Sequence, residues 1–95
     1  MMENHLKDYL YMLRVERNLS SLSIDAYKRD LEVYIDYLVE TKGVNCLNDI
    51  EEKHIQGFIR FQNKENKSPT SISRYASAIR GYHLFLTMEG FLKEN

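Results

Sequence analysis

The sequence predicts an all-α fold. Three observations lead there. Glycine (4) and proline (1) are scarce in 95 residues, so little interrupts a helix. Apolar residues return at three- and four-residue steps in four separate segments, as they do along a buried helical stripe. The eight residues SSLSIDAY at 20–27 come back as SPTSISRY at 68–75, and each copy opens on a serine suited to capping a helix. The predicted helices lie at about 4–17, 21–41, 51–64 and 69–88.

The first helix carries the stripe Leu6, Tyr9, Leu10, Leu13 and the stem of Arg17, and ends before Asn18. The second starts after Ser20, whose hydroxyl can accept a backbone N–H of the first turn, and stops at Lys42-Gly43. Its stripe is Ile24, Tyr27, Leu31, Tyr34, Ile35 and Leu38. The third follows the Asn48-Asp49 loop, sets acidic Glu51 and Glu52 at the positive end of the helix, and aligns Ile55, Phe58, Ile59 and Gln62. After the polar connector NKENKSPT the fourth helix opens on Ser68 as cap and Pro69 as first helical residue. Its stripe is Ile72, Tyr75, Ala76, Ile79, Tyr82, His83 and Leu86, with Gly90 beyond its end.

Length and composition set the class. Ninety-five residues at 43% hydrophobic and 28% charged suit one domain, 1–95, with a modest core. A single cysteine, Cys46, builds no disulfide framework, and a cytoplasmic setting fits best. The N-terminus lacks the unbroken apolar run of a signal peptide, and no stretch of about 18 apolar residues offers a membrane span. The net charge of −1 gives no global attraction to nucleic acid, so any such binding must come from local charge.

Local charge is found on the fourth helix. At about 100° per residue, the face opposite Ile72 and Ile79 holds Thr70, Arg74, Ser77 and Gly81, with Ser73 and Arg80 on its flank. No acidic residue occurs between Lys67 and Thr87. Small residues permit close approach, hydroxyls can donate to phosphate or base edges, and arginine pairs with either, so the face suits a major groove. The plainer alternative is a solvated face with two ordinary arginines, and the repeated octamer is equally readable as two capped amphipathic helices. Near the start of the second helix stand Ser20, Ser23, Lys28 and Arg29, diluted by Asp25 and Asp30. Leu22, Ala26 and Val33 lie opposite that helix's main stripe and offer a strip for a partner helix or a second copy, or are scattered surface hydrophobes.

Catalytic and metal patterns are lacking. His5, His54 and His83 stand far apart without HxxxH or HExxH spacing, so neither a metal nor a cofactor is expected. His83, on the apolar stripe, reads as a hydrogen-bonded core histidine. Cys46 has no activating neighbour, and Glu51 and Glu52 diverge on their helix. The seven tyrosines fall mostly on helix stripes, where none is singled out as a nucleophile.

Residues 18–43, NLSSLSIDAYKRDLEVYIDYLVETKG, followed by residues 68–90, SPTSISRYASAIRGYHLFLTMEG, closely resemble the N-terminal core-binding domain of phage-integrase and Xer-type tyrosine recombinases. In that family the first segment runs approximately S-x-x-T-φ-x-x-Y-x-x-D-L, with φ apolar. Ser20, Ser23, Ile24, Tyr27, Asp30 and Leu31 match it, with Ser in place of Thr. The second runs approximately S-x-x-T-I-x-R-x-φ-S-A-φ-R, matched by Ser68, Ser71, Ile72, Arg74, Ala76, Ser77, Ala78, Ile79 and Arg80. The resemblance implies a four-helix, SAM-like bundle gripping one side of double-stranded DNA while a separate C-terminal catalytic domain grips the other. It also implies tetramers of protomers on paired sites. Carried over by position, it makes Ser20, Ser23 and Arg29 of the second helix, with Thr70, Ser71, Arg74, Ser77 and Arg80 of the fourth, the expected DNA contacts. The family's tyrosine nucleophile and His-x-x-Arg motif belong to the C-terminal domain, and no histidine here is followed by arginine three residues on. The expectation is therefore an excised domain or natural fragment, not an enzyme by itself. An alternative role is a protein-interaction module for recombinase assembly.

Overall fold

A computed structural model describes residues 2–92. Its principal helices are α1 (Met2–Val15), α2 (Ser21–Asp36), α3 (Glu52–Lys64) and α4 (Pro69–Met88), with a π-helical turn, Tyr37–Thr41, continuing α2 and a short 3-10 turn at Leu47–Asp49. No strand occurs among the described residues, and no helix of the structure is long and apolar enough to cross a membrane.

Helices α2, α3 and α4 begin, and all four helices end, for a local reason. Ser20 and Ser68 hold the same extended backbone (φ −66°, ψ 157° and 155°), and their hydroxyls accept the N–H of Ser23 and Ser71 at 3.2 and 3.1 Å. The repeated octamer is thus one cap built twice. Helix α3 starts differently: the N–H of Glu51 donates to Nδ1 of His54 at 2.9 Å. After each helix comes a residue with positive φ, Asn18 (54°), Gly43 (67°), Asn66 (62°) and Gly90 (81°). The chain then turns back so that Leu19, Val44, Lys67 and Phe91 donate their N–H groups to Leu13, Leu38, Gln62 and Leu86. These bonds satisfy carbonyls that a helix end leaves open.

Two boundaries differ from expectation. Helix α1 runs from Met2 to Val15, and Arg17 is exposed beyond it, because the return at Asn18 ends the helix sooner. The last turn of the second helix widens, Lys42 N–H reaching Tyr37 carbonyl at 3.3 Å.

Helices α2 and α4 form the centre. Leu31, Tyr34 and Leu38 of the second helix meet Ala78, Tyr82 and Leu86 of α4, none more than 1% exposed. Helix α1 adds Leu6, Tyr9 and Leu13, and α3 adds Phe58, whose ring stands edge-on to Tyr34, Tyr37 and Tyr75 at centroid separations of 5.3, 5.3 and 5.5 Å. Such pairs stabilise by about 0.5–1.5 kcal/mol each beyond area burial. Ala78 and Tyr37 are buried although neither lay on an expected stripe.

Candidate nucleic-acid interface

Two polar contacts tie α2 to α4. Asp30, whose side chain is 4% exposed, accepts Nε–H of Arg74 at 2.7 Å and Nη2–H at 3.0 Å. Further along both helices, Tyr34 Oη and His83 Nε2 share a hydrogen bond at 2.8 Å. Because residue numbers rise together through these contacts, α2 and α4 run in the same general direction. Their serine-capped starts therefore lie toward one end of the bundle, where both helix dipoles present their positive poles.

Asp30 is not the surface acid that the sequence reading made it. It lies three residues after Tyr27 and four before Tyr34, which places it on their side of α2, and Arg74 compensates its burial. The pattern D-L in one segment and I-x-R in the other was the available signal. The bidentate contact raises the pKa of Arg74, chiefly through the hydrogen bond to Asp30. The Arg74 side chain nevertheless remains 45% exposed.

Of the expected contact residues, Ser20, Ser23, Arg29, Thr70, Arg74, Ser77 and Arg80 are exposed, and Ser71 is half-buried. Ser20 and Ser23 hydroxyls bond each other at 3.2 Å, as Ser68 and Ser71 do at 3.1 Å, so these oxygens already serve the caps. On α4, Thr70, Ser73, Arg74, Ser77 and Arg80 form one exposed arc. Arg74 bounds the α2 side of that arc. Arg80, six residues on, turns toward a groove of about 630 Å³ that α3 shares with α4, lined by Glu52, Ile55, Ile59 and His83 among others.

Gly81 does not belong to this face. A Cβ built on it would stand 2.5 Å from Tyr9 Oη, and the Tyr9 ring packs on Tyr82 and Phe85 at 5.5 and 5.3 Å. Helix α1 thus covers α4 at Gly81 and Phe85, while Leu84 and Met88 further along remain exposed. Burial also pushes the pKa of His83 below its ordinary value, which suits a hydrogen-bonded core histidine. Among the described residues no group of three or more His, Cys, Asp or Glu side chains could hold a metal ion.

A family model described as "phage integrase, N-terminal SAM-like domain" matches residues 6–90. The chain is 38% identical to the tyrosine recombinase XerD of Listeria monocytogenes serovar 1/2a and 36% identical to XerD of Oceanobacillus iheyensis, each over 94% of this chain. It is 33% identical over 99% of its length to the tyrosine recombinase XerC of Pseudomonas syringae pv. tomato. These matches cover 30, 30 and 31% of the relatives' own lengths. No solved structure matches the chain.

Proposed function

The chain belongs to the phage integrase N-terminal SAM-like domain family, and from that membership we propose that it is the DNA-binding module of a site-specific tyrosine recombinase. It grips one face of the recombination-site duplex through α2 and α4. The strand-breaking chemistry resides in a C-terminal catalytic domain of the parent protein, so the module cleaves nothing alone and works in the cytoplasm. That domain and other recombinase protomers on the same DNA are its further partners.

The observation that carries the reading is the exposed arc Thr70, Ser73, Arg74, Ser77 and Arg80 on α4, a helix without an acidic residue. Hydroxyls and guanidinium groups on one helical face offer donors to phosphates and base edges. The caps at Ser20 and Ser68 add helix N-termini at the same end, where phosphate is favoured. With a net charge of −1 the isolated domain binds weakly and loses affinity steeply with salt. A second grip from the catalytic domain raises affinity through effective concentration.

The test is an amide-shift titration of the labelled domain with a generic duplex at low and at physiological salt. Shifts are expected at residues 20–29 and 70–80, fading as salt rises. A folded domain without shifts at low salt would overturn the reading.

A second reading, a protein-interaction module for protomer assembly, is favoured by Leu22, 81% exposed, and Val33, 42% exposed, on the outer side of α2. It predicts a mass that rises with concentration. A constant monomer mass from micromolar to millimolar would remove its self-association form.

A further inference from the structure

We propose that Arg74 reads base edges instead of neutralising phosphate, with Asp30 as the positioning residue that sets its plane; this rests on the DNA-binding reading above.

An arginine carries five N–H donors in a rigid planar fork. Asp30 engages the side of that fork, Nε–H at 2.7 Å and one N–H of Nη2 at 3.0 Å. Three donors remain, two on Nη1 and one on Nη2. The Nη1/Nη2 edge presents two parallel N–H groups, the arrangement that matches O6 and N7 of guanine in the major groove. The side chain is 45% exposed while its partner is 4% exposed, so the carboxylate is held inside and the guanidinium reaches out. Thr70 and Ser77, both exposed, flank it about one turn away on either side along α4.

Charge separates the two roles. A guanidinium free of partners brings a full positive charge to DNA and releases a counterion when it meets phosphate. Arg74 is already matched by a carboxylate in direct contact, so the pair brings almost no net charge. A phosphate placed on its outer edge would also stand close to the Asp30 carboxylate and be repelled, whereas a neutral base edge would not. Arg80 has no such carboxylate in contact among the ion pairs of the described residues, and it serves as the comparator for ordinary phosphate neutralisation.

The experiment measures anisotropy binding of the 95-residue chain to a duplex that it selects from a randomised pool and to a scrambled duplex of the same length, across a salt series. Variants are Arg74→Gln, Asp30→Asn, the double Asp30→Asn/Arg74→Gln, which leaves no unpaired buried charge should Arg74→Gln fold poorly, and Arg80→Gln. For Arg74→Gln and the double variant, the preference for the selected duplex should fall about 5- to 150-fold, the value of one bidentate base contact. The double variant, which removes the pair as a neutral unit, should also keep the salt slope of wild type, whereas Arg74→Gln alone leaves the Asp30 carboxylate uncompensated and is compared for preference only. Asp30→Asn should steepen the slope by about 0.9 by releasing a charge, and Arg80→Gln should flatten it by about 0.9 on both duplexes with the preference kept. If the double variant flattens the slope by about 0.9 and keeps the preference, or if the wild-type chain binds with no preference, the inference is wrong while DNA binding stands. A wild-type chain that binds neither duplex at low salt removes the DNA-binding reading and this inference together.

Discussion

Replacing Gly81 by alanine sets two opposing effects against each other at the crossing of α1 and α4. Alanine inside an exposed helix stabilises by about 0.5–1 kcal/mol relative to glycine. Here the new methyl would stand 2.5 Å from Tyr9 Oη. Ordinary contact begins near 3.4 Å, so the tyrosine would have to retreat by roughly 0.9 Å. It has little room, since the residue is 5% exposed and its ring packs on Tyr82 and Phe85. Overpacking of this kind costs about 1–3 kcal/mol. The net expectation is a loss centred on about 1 kcal/mol, or a fall in Tm of about 4–8 °C for a domain of this size. Tyr9→Phe removes the clashing oxygen and leaves the next atom, Cζ, at an acceptable 3.6 Å. In the Tyr9→Phe background, Gly81→Ala should therefore raise Tm, because only the helix-propensity gain remains. Thermal melts by far-ultraviolet circular dichroism of the four proteins complete the double-mutant cycle. A Gly81→Ala protein at least as stable as wild type, or a loss that Tyr9→Phe does not repair, would refute the reasoning that α1 covers this part of α4.

Three further expectations can be checked alongside. Arg74→Ala leaves the Asp30 carboxylate buried without its partner and should cost about 2 kcal/mol, discounted for the half-exposed arginine, whereas Arg80→Ala should cost under about 0.5; urea midpoints that move equally for both would contradict the clamp. Ser68→Ala should lose about 1 kcal/mol with the cap, while Ser68→Asp should keep the cap and, if the proposed face meets DNA, weaken duplex binding by adding negative charge there; affinity untouched by the aspartate would place DNA elsewhere. The third concerns pH. Because burial lowers the pKa of His83 from its ordinary 6.5, the unfolded chain takes up that proton first as pH falls. The stability held by neutral His83 is thus full above about 6.5 and declines below it until the folded-state value is reached. His83→Gln should show a smaller loss of urea midpoint between pH 7.5 and pH 5 than wild type, and parallel losses would argue against a buried neutral imidazole.

Much of the fold was legible because its signals are local. Ser68-Pro69 marked the start of α4, and Ser20 the start of α2, through hydrogen bonds that span three residues. Gly43 and Gly90 marked stops because they supply the left-handed turn. The stripes on α2 and α4 named most of the core. Where the reading missed, the cause lay outside the helix concerned. Arg17 was placed on a stripe that the return at Asn18 had already ended. Asp30 reads as surface charge from helical periodicity, because its partner lies 44 residues away and only the paired D-L and I-x-R patterns point to it.

By itself the sequence determined the four helices, their caps, the sides on which apolar residues gather and the paired motifs that carry the family likeness. These follow from hydrogen bonds and periodicities reaching no further than a turn or two. Only the tertiary structure decided which parts of an outward face stay open. Periodicity puts Thr70, Arg74, Ser77 and Gly81 on one side of α4, yet α1 crosses over Gly81 through Tyr9, and α2 takes half of the Arg74 fork through Asp30. Where two helices cross, and what each covers, depends on side chains packed from distant parts of the chain, so the boundary of a binding face is a property of the assembled bundle.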